Sequence, residues 1–333
     1  MALCVMLQTG IRLEVTRSPN IIIAEMKQSS WQKPLLFVTT SLLLPIFYGH
    51  TLMTSLQHFR TVVGVAAESK WITFLQLVGT DDWNLYVWGI VLSIQIPFWS
   101  VGILFAFLDY YNWPKWIMRY KIQPGTNEPV DLNKLTETIR VVLVNQWVIA
   151  FPLLIATYYF QKMIHRMPEI QELPTVERTL FDFLVLFLFE EVGVYYVHRL
   201  IHHPKLYIRV HKKHHEWRAP VAIASMYCTG TEYFLLLSAA AVGPLLMNPH
   251  ILTLWVWYAF VHLRSVNEHT GYEFPWLPTA EHHNYHHIIN NACYSHSYFL
   301  DWLHGTDKGF RSYMSRKKAL NNFTERLETS NAN

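Results

Sequence analysis

Apolar runs long enough to cross a bilayer recur along this chain, and no other feature restricts its fold so strongly. A membrane-crossing helix needs roughly 20 mostly apolar residues. Residues 35–53, 85–108, 141–160 and 180–197 each meet that test; Asp82 and Asp109 bracket the second, and the fourth carries Asp182, Glu190 and Glu191. Residues 233–247 and 251–263 are shorter and are joined by Asn248-Pro249-His250, so they read as a tilted helical hairpin that returns on the side it entered. Charged residues make up only 15% of the chain, against roughly a quarter in soluble domains. The expected class is an all-α integral membrane protein with four transmembrane helices plus a helical hairpin, carrying a cytoplasmic histidine-rich di-metal helical cap.

Orientation follows from Lys and Arg, which concentrate in cytoplasmic loops. With a cytoplasmic N-terminus, residues 1–33, 109–140, 198–231 and the tail from 305 carry twenty-one of them, and the opposite face carries five. Both termini and all the histidine clusters then share the cytoplasmic side. The first 30 residues contain Arg12 and Arg17 and no cleavage-type signal. The expected division is a cytoplasmic segment 1–33, a transmembrane region 34–178, a catalytic region 179–312 and a polar, disordered tail 313–333. The net charge of +3 gives no reason to expect nucleic acid as a partner. Asn322-Phe323-Thr324 matches a glycosylation acceptor on the wrong side of the membrane, and is expected to be unused.

The chemistry lies in three clusters: His198-Arg199-Leu200-Ile201-His202, His211-Lys212-Lys213-His214-His215 and His283-Asn284-Tyr285-His286-His287. On a helix, residues three and four apart share a face, so each His-x-x-His-His motif is expected to present up to three imidazoles to one point. Eight imidazoles are too many for one metal ion, and two ions are the natural count. Imidazole suits Zn, Cu, Fe and Ni alike. Three Cys, at positions 4, 228 and 293, give neither a disulfide framework nor a paired thiolate site. A zinc finger and an H-E-x-x-H hydrolase are both excluded by pattern. The isolated His50, His58, His165 and His250 read as hydrogen-bonded interior or interfacial residues.

The order His-x3-His, His-x2-His-His, His-x2-His-His on a polytopic chain resembles the fatty acid hydroxylase / sterol desaturase superfamily. Glu268-His269-Thr270-Gly271-Tyr272-Glu273-Phe274-Pro275-Trp276 and Asp301-Trp302-Leu303-His304-Gly305-Thr306-Asp307-Lys308-Gly309 are similar to its 4-methyl sterol oxidase branch. The likeness runs from about Phe181 to Arg311. It implies a non-haem di-iron monooxygenase of the endoplasmic reticulum membrane, with two Fe ions, dioxygen as co-substrate, and electrons from NAD(P)H through cytochrome b5 or a related carrier. That carrier is expected to be a separate protein, and the substrate a membrane lipid, a sterol first. By matching position the resemblance implies His198, His202, His211, His214, His215, His269, His283, His286 and His287 as metal ligands. Glu190, Glu191, His282 and Asn284 are candidates to orient them, the alternative for Glu190, Glu191 and Asn284 being helix-end polar residues that face water. Tyr272, Phe274 and Trp276 are candidates to wall the substrate channel or, equally, to anchor the chain at the membrane interface. Attack on an alkyl C–H bond needs a redox-active metal, which Zn is not. The chain departs from the branch at Thr229 and Gly230, where sterol-oxidising relatives tend to carry His and Pro. A fatty-acyl hydroxylase or desaturase, and a catalytically idle regulatory or scaffold membrane protein, are the competing readings; a metal transporter needs sites at the bilayer midplane and fits poorly.

Overall fold

The computed structural model describes Thr54, His58 and residues 61–331. The apolar run 35–53 lies outside the described residues. Two compact units divide the chain, Met1–Thr73 and Phe74–Asn333. The described residues of the first are helical.

The second unit is built from helices, and among the described residues the isolated bridge between Lys121 and Tyr272 is its sole extended pairing. Helix α1 (Asn84–Tyr111) opens with a π-helical turn and ends at Asn112, whose left-handed φ of 49° reverses the chain. After a single turn, α2 (Lys115–Met118), Asp131 caps α3 (Leu132–Met163), its Oδ1 accepting from the backbone N–H groups of Asn133 and Lys134. Thr175 caps α4 (Val176–Ile201), and Pro204 occupies the first turn of α5 (Pro204–Val210). The hairpin is α6 (Gly230–Met247) and α7 (Ile251–His269), turned by Asn248 in the left-handed conformation. Short helices α8 (Glu281–Ile289) and α9 (Phe299–His304) follow.

Among the described residues, three helices are long and apolar enough to cross a membrane: α1, α3 and α6. Their outward residues are apolar and exposed, among them Leu92, Ile96, Ile103 and Leu104 on α1 and Val144 and Val148 on α3. That pattern suits a lipid surround. Helix α4 is outside the three because Asp182, Glu190 and Glu191 interrupt its apolar run. The fold satisfies those acids internally: Asp182 pairs with Arg178, Glu190 with Arg264, and Glu191 accepts from the Ser297 backbone N–H and hydroxyl.

The final element corrects an expectation. Residues 313–333 read as a disordered tail, yet α10 (Phe310–Asn331) is helical through most of them. Its first half is rich in strong helix formers, and Tyr313 and Lys317 both reach Glu281 on α8, which anchors the helix.

Helix α4 packs along α6, and α7 along α1. Between α1, α3 and α7 the chain inserts a turn of 3-10 helix, Ala222–Met226, whose apolar side chains join Phe98, Phe105 and Val266 in one buried cluster. This insertion is pinned by polar side chains. Trp217 Nε1 donates to Thr138 Oγ1 at 2.9 Å, and Asn145 Nδ2 donates to the carbonyls of Met226 (3.0 Å) and Cys228 (3.1 Å). Residues 211–229 are thereby held against α3, and the 3-10 turn within them packs on α7, which carries His269.

Candidate metal centre

Four elements converge at one end of the helices: the C-terminus of α4 with His198 and His202, the segment after α5 with His211, His214 and His215, the C-terminus of α7 with His269, and α8 with His283, His286 and His287. The nine imidazoles form two sets. His198, His202, His211, His215 and His286 make the first, and His214, His269, His283 and His287 the second; within each set the ligand-capable nitrogens lie within 4.8 Å of one another. All nine residues expected as ligands fall in these two sets.

Their division corrects the expected geometry. Neither His-x-x-His-His motif presents three imidazoles to one point. The i, i+4 pairs stay together, His211 with His215 and His283 with His287, while the i+3 residue crosses over: His214 joins the second set and His286 the first. The second motif is also not one helical face, because His211 ends α5, a turn follows, and His214–Glu216 is 3-10 helix. Each set is thus stitched from separate elements, and the crossing residues tie the two sets into one body.

The tautomers show what the arrangement requires. The Nδ1 atoms of His198, His214, His269 and His286 face the backbone carbonyls of Tyr294 (2.8 Å), Tyr227 (3.2 Å), Ser265 (2.8 Å) and Ala292 (2.7 Å), and His211 Nδ1 faces Glu232 Oε1 (2.7 Å). The carbonyls accept only, as does an ionised Glu232, so the proton sits on each Nδ1 and each Nε2 carries a lone pair. Yet His198 Nε2 lies 3.2 Å from His211 Nε2, and His269 Nε2 lies 3.2 Å from His214 Nε2. Lone pair faces lone pair in both contacts, one in each set. A cation between them turns the repulsion into coordination, so the donor set fits one metal ion per set.

Burial completes the case. It pulls His198 and His269 down to about 4 and His211, His214, His283, His286 and His287 well below the ordinary imidazole range. Neutral imidazole is the form that binds metal. A carbonyl or carboxylate behind the distal ring nitrogen is the arrangement that orients metal-ligating histidines.

The residues that do this orienting are not the four predicted for it. Glu190 and Glu191 pair with Arg264 and Ser297, Asn284 Oδ1 accepts from Gln123 Nε2, and His282 faces Asp301 with Nε2 3.4 Å from Oδ2. Glu232 was missed, although its place in the first turn of α6 is a legible signal. The Thr229 hydroxyl accepts from Glu232 N–H and donates to the Val210 carbonyl, which fixes the start of α6 beside His211. Gly230 leaves room there, since a Cβ would come within 2.7 Å of Ile149 Cδ1. Asp301 was missed as well. Its carboxylate accepts from the N–H groups of Tyr294 (2.9 Å) and Ser295 (2.7 Å) and the hydroxyls of Ser295 and Thr306 (2.6 Å each), holding the loop whose carbonyls orient His198 and His286.

Beside the imidazoles lies a cavity of about 140 Å³, walled by α4, α6 and α7 and lined by five of the nine histidines, from both sets. Leu236, Leu237, Trp257 and Val261 give it an apolar side. Tyr272, Phe274 and Trp276 are elsewhere. They stack on one another, with Tyr272 hydroxyl donating to Asp109 and Phe274 packing on Phe105 and Tyr120, and Trp276 is 64% exposed.

A membrane-embedded helical protein with two buried polyhistidine sets defines a narrow class, and the comparisons agree: the chain belongs to the fatty acid hydroxylase family, whose model matches residues 183–306. That span begins in α4 and closes just beyond Asp301. The particular relatives sharpen the likeness. Fatty acid hydroxylase domain-containing protein 2 of Homo sapiens is 37% identical over 286 residues, 85% of each chain. Methylsterol monooxygenase 2-2 of Arabidopsis thaliana is 33% identical over 251 residues, 72% of this chain and 91% of that one. Fatty acid hydroxylase ahd1 of Mycosarcoma maydis is 35% identical over 237 residues, 71% of this chain and 61% of that one. The resemblance drawn from the histidine motifs therefore holds. No solved structure matches the chain.

Proposed function

We propose that this protein is a non-haem di-iron monooxygenase that hydroxylates a lipid C–H bond with dioxygen, of the sterol 4-methyl oxidase type, in the endoplasmic reticulum membrane with its metal centre on the cytoplasmic face. The observation that carries this reading is the pair of lone-pair contacts, His198 with His211 and His214 with His269, each of which a cation relieves. Two iron ions held by the nine histidines would supply the redox chemistry that converts R–CH3, O2, two electrons and two protons to R–CH2OH and water. NAD(P)H would provide the electrons through cytochrome b5 or a related carrier, a separate protein.

The protein's own groups have definite tasks. The carbonyls of Tyr294, Tyr227, Ser265 and Ala292 and the carboxylate of Glu232 keep the Nε2 lone pairs facing inward. The apolar residues of α6 and α7 exclude water and hold hydrocarbon against the histidine-lined end of the cavity. The relatives named as methylsterol monooxygenases favour a sterol methyl group as the reacting carbon. A fatty-acyl hydroxylase is the second reading, favoured by the relative named as a fatty acid hydroxylase.

The test is lipid analysis of cells lacking the protein, grown under 18O2 and rescued with wild type or His286→Ala. Accumulated 4-methyl sterols cleared by wild type alone, with label entering the oxidised methyl, is the expected result. Rescue by His286→Ala would point instead to a scaffold, and changes confined to acyl chains to the second reading.

A further inference from the structure

The histidine-lined cavity does not end at the hairpin. A second cavity of about 70 Å³ lies between α1, α3 and the hairpin, and Tyr233, Leu237, Tyr258 and His262 line both. These four residues form a constriction between an inner compartment beside the imidazoles and an outer one between two candidate membrane spans. The outer walls are mostly apolar, with Ile94 on α1 and Leu154 on α3 among them.

The inner compartment carries two buried polar atoms that no protein group satisfies. Glu232 is 1% exposed; its Oε1 takes the His211 N–H, and its Oε2 has no hydrogen-bond partner. Ser225 Oγ is also buried and without one, and both residues line the inner cavity. Buried polar groups are almost always paired, so two orphans at one cavity point to a ligand group that pairs them. A hydroxyl can do so, donating to Glu232 and accepting from Ser225. A free carboxylate accepts only, so it pairs the Ser225 hydroxyl and leaves an accepting Oε2 of Glu232 without a donor.

We infer that the two cavities form one lipid site of fixed polarity, in which an alcohol group of the ligand sits at Ser225 and Glu232 beside the histidines and its hydrocarbon tail passes the Tyr233–Tyr258 constriction into the outer compartment. This rests on the lipid oxygenase reading and narrows it. The ligand is a lipid alcohol whose reacting carbon lies close to its hydroxyl, and not a free fatty acid.

The experiment uses the full chain, metal-loaded, in lipid nanodiscs, with three probes: a 4-methyl sterol bearing a diazirine at the end of its side chain, the same sterol without its hydroxyl, and a fatty acid bearing a terminal diazirine. Labelled residues are mapped by mass spectrometry and affinities read by competition. The sterol probe is expected to label the outer compartment around Ile94 and Leu154, and Leu154→Trp or Ala241→Phe to suppress that labelling. Removing the hydroxyl should weaken binding about tenfold, Ser225→Val should do the same to the intact sterol, and the two losses should not add. Metal content and monodispersity of each variant show that it has folded, and two cavity-filling variants guard against failure of one. Tail labelling next to the histidines, or equal affinity for the hydroxyl-free sterol, would overturn the assigned polarity. Labelling by the fatty acid but not the sterol would overturn the alcohol while sparing the lipid oxygenase. Labelling by no probe would remove the lipid oxygenase reading itself.

Discussion

Replacing Asp301 with Asn tests how the metal centre is held, because this fully buried carboxylate touches no metal-ligating side chain hydrogen bond yet positions the loop behind two of them. Its two oxygens accept four hydrogen bonds, from Tyr294 N, Ser295 N, Ser295 Oγ and Thr306 Oγ1. An amide keeps one accepting oxygen and turns a donor toward Ser295 N. About two carboxylate hydrogen bonds are lost, at roughly 1.5–3 kcal/mol each, so the loop is destabilised by about 3–6 kcal/mol. The carbonyls of Tyr294 and Ala292 then release His198 and His286, both in the first set. Loss of an orienting partner typically weakens metal binding 10–100-fold. The second set keeps Tyr227 and Ser265, which lie outside this loop. Anaerobic Fe(II)-loaded protein titrated with a chelator should therefore lose one ion per chain at a chelator concentration about 10–100-fold lower than wild type, and hold the other as wild type does. Simultaneous loss of both ions, or earlier loss from the second set, would refute the division into two sets.

Other outcomes follow from the same contacts. Thr229→Ala removes the cap of α6 and the bond to Val210, so thermal unfolding in detergent should register a loss of about 1 kcal/mol, and Thr229→Ser should restore it. The metal-free protein should lose stability as pH falls. Its buried imidazoles have folded values below the ordinary 6.5, so their neutral form is fully favourable above that value, and the unfolded chain binds the extra protons below it. His198 and His269, each at about 4, would each account for about 3 kcal/mol of that loss by pH 4. Metal-free stability that stays flat between pH 7 and pH 4 would contradict this assignment of neutral imidazoles.

Much of this molecule is legible in its sequence, for physical reasons that also mark the limits. Apolar runs report a lipid or protein surround, so the helices at 85–108, 141–160, 180–197 and the hairpin are readable, and the structure extends them, by nine residues at the start of α3, into capped ends such as Asp131 and Thr175. Histidine spacing reports ligand chemistry, so the nine imidazoles stand out. Their partition does not, because whether His214 sides with His211 or with His269 depends on a turn and a 3-10 segment that spacing cannot anticipate. The groups that orient them are mostly backbone carbonyls, which every residue possesses and no motif marks. Tyr272, Phe274 and Trp276 lie within a few residues of His269, but the chain turns at Gly271, whose positive φ of 77° carries them away from the cavity and onto α1 and the α2 region.

The measurement closest to the central claim is the iron content and iron spectrum of the full-length protein, purified anaerobically and read by elemental analysis and Mössbauer spectroscopy. Two irons per chain, with the first-set signal perturbed by His286→Ala and the second-set signal by His214→Ala, is the predicted result. One iron per chain, or two whose loss does not follow that crossed pattern, would contradict it.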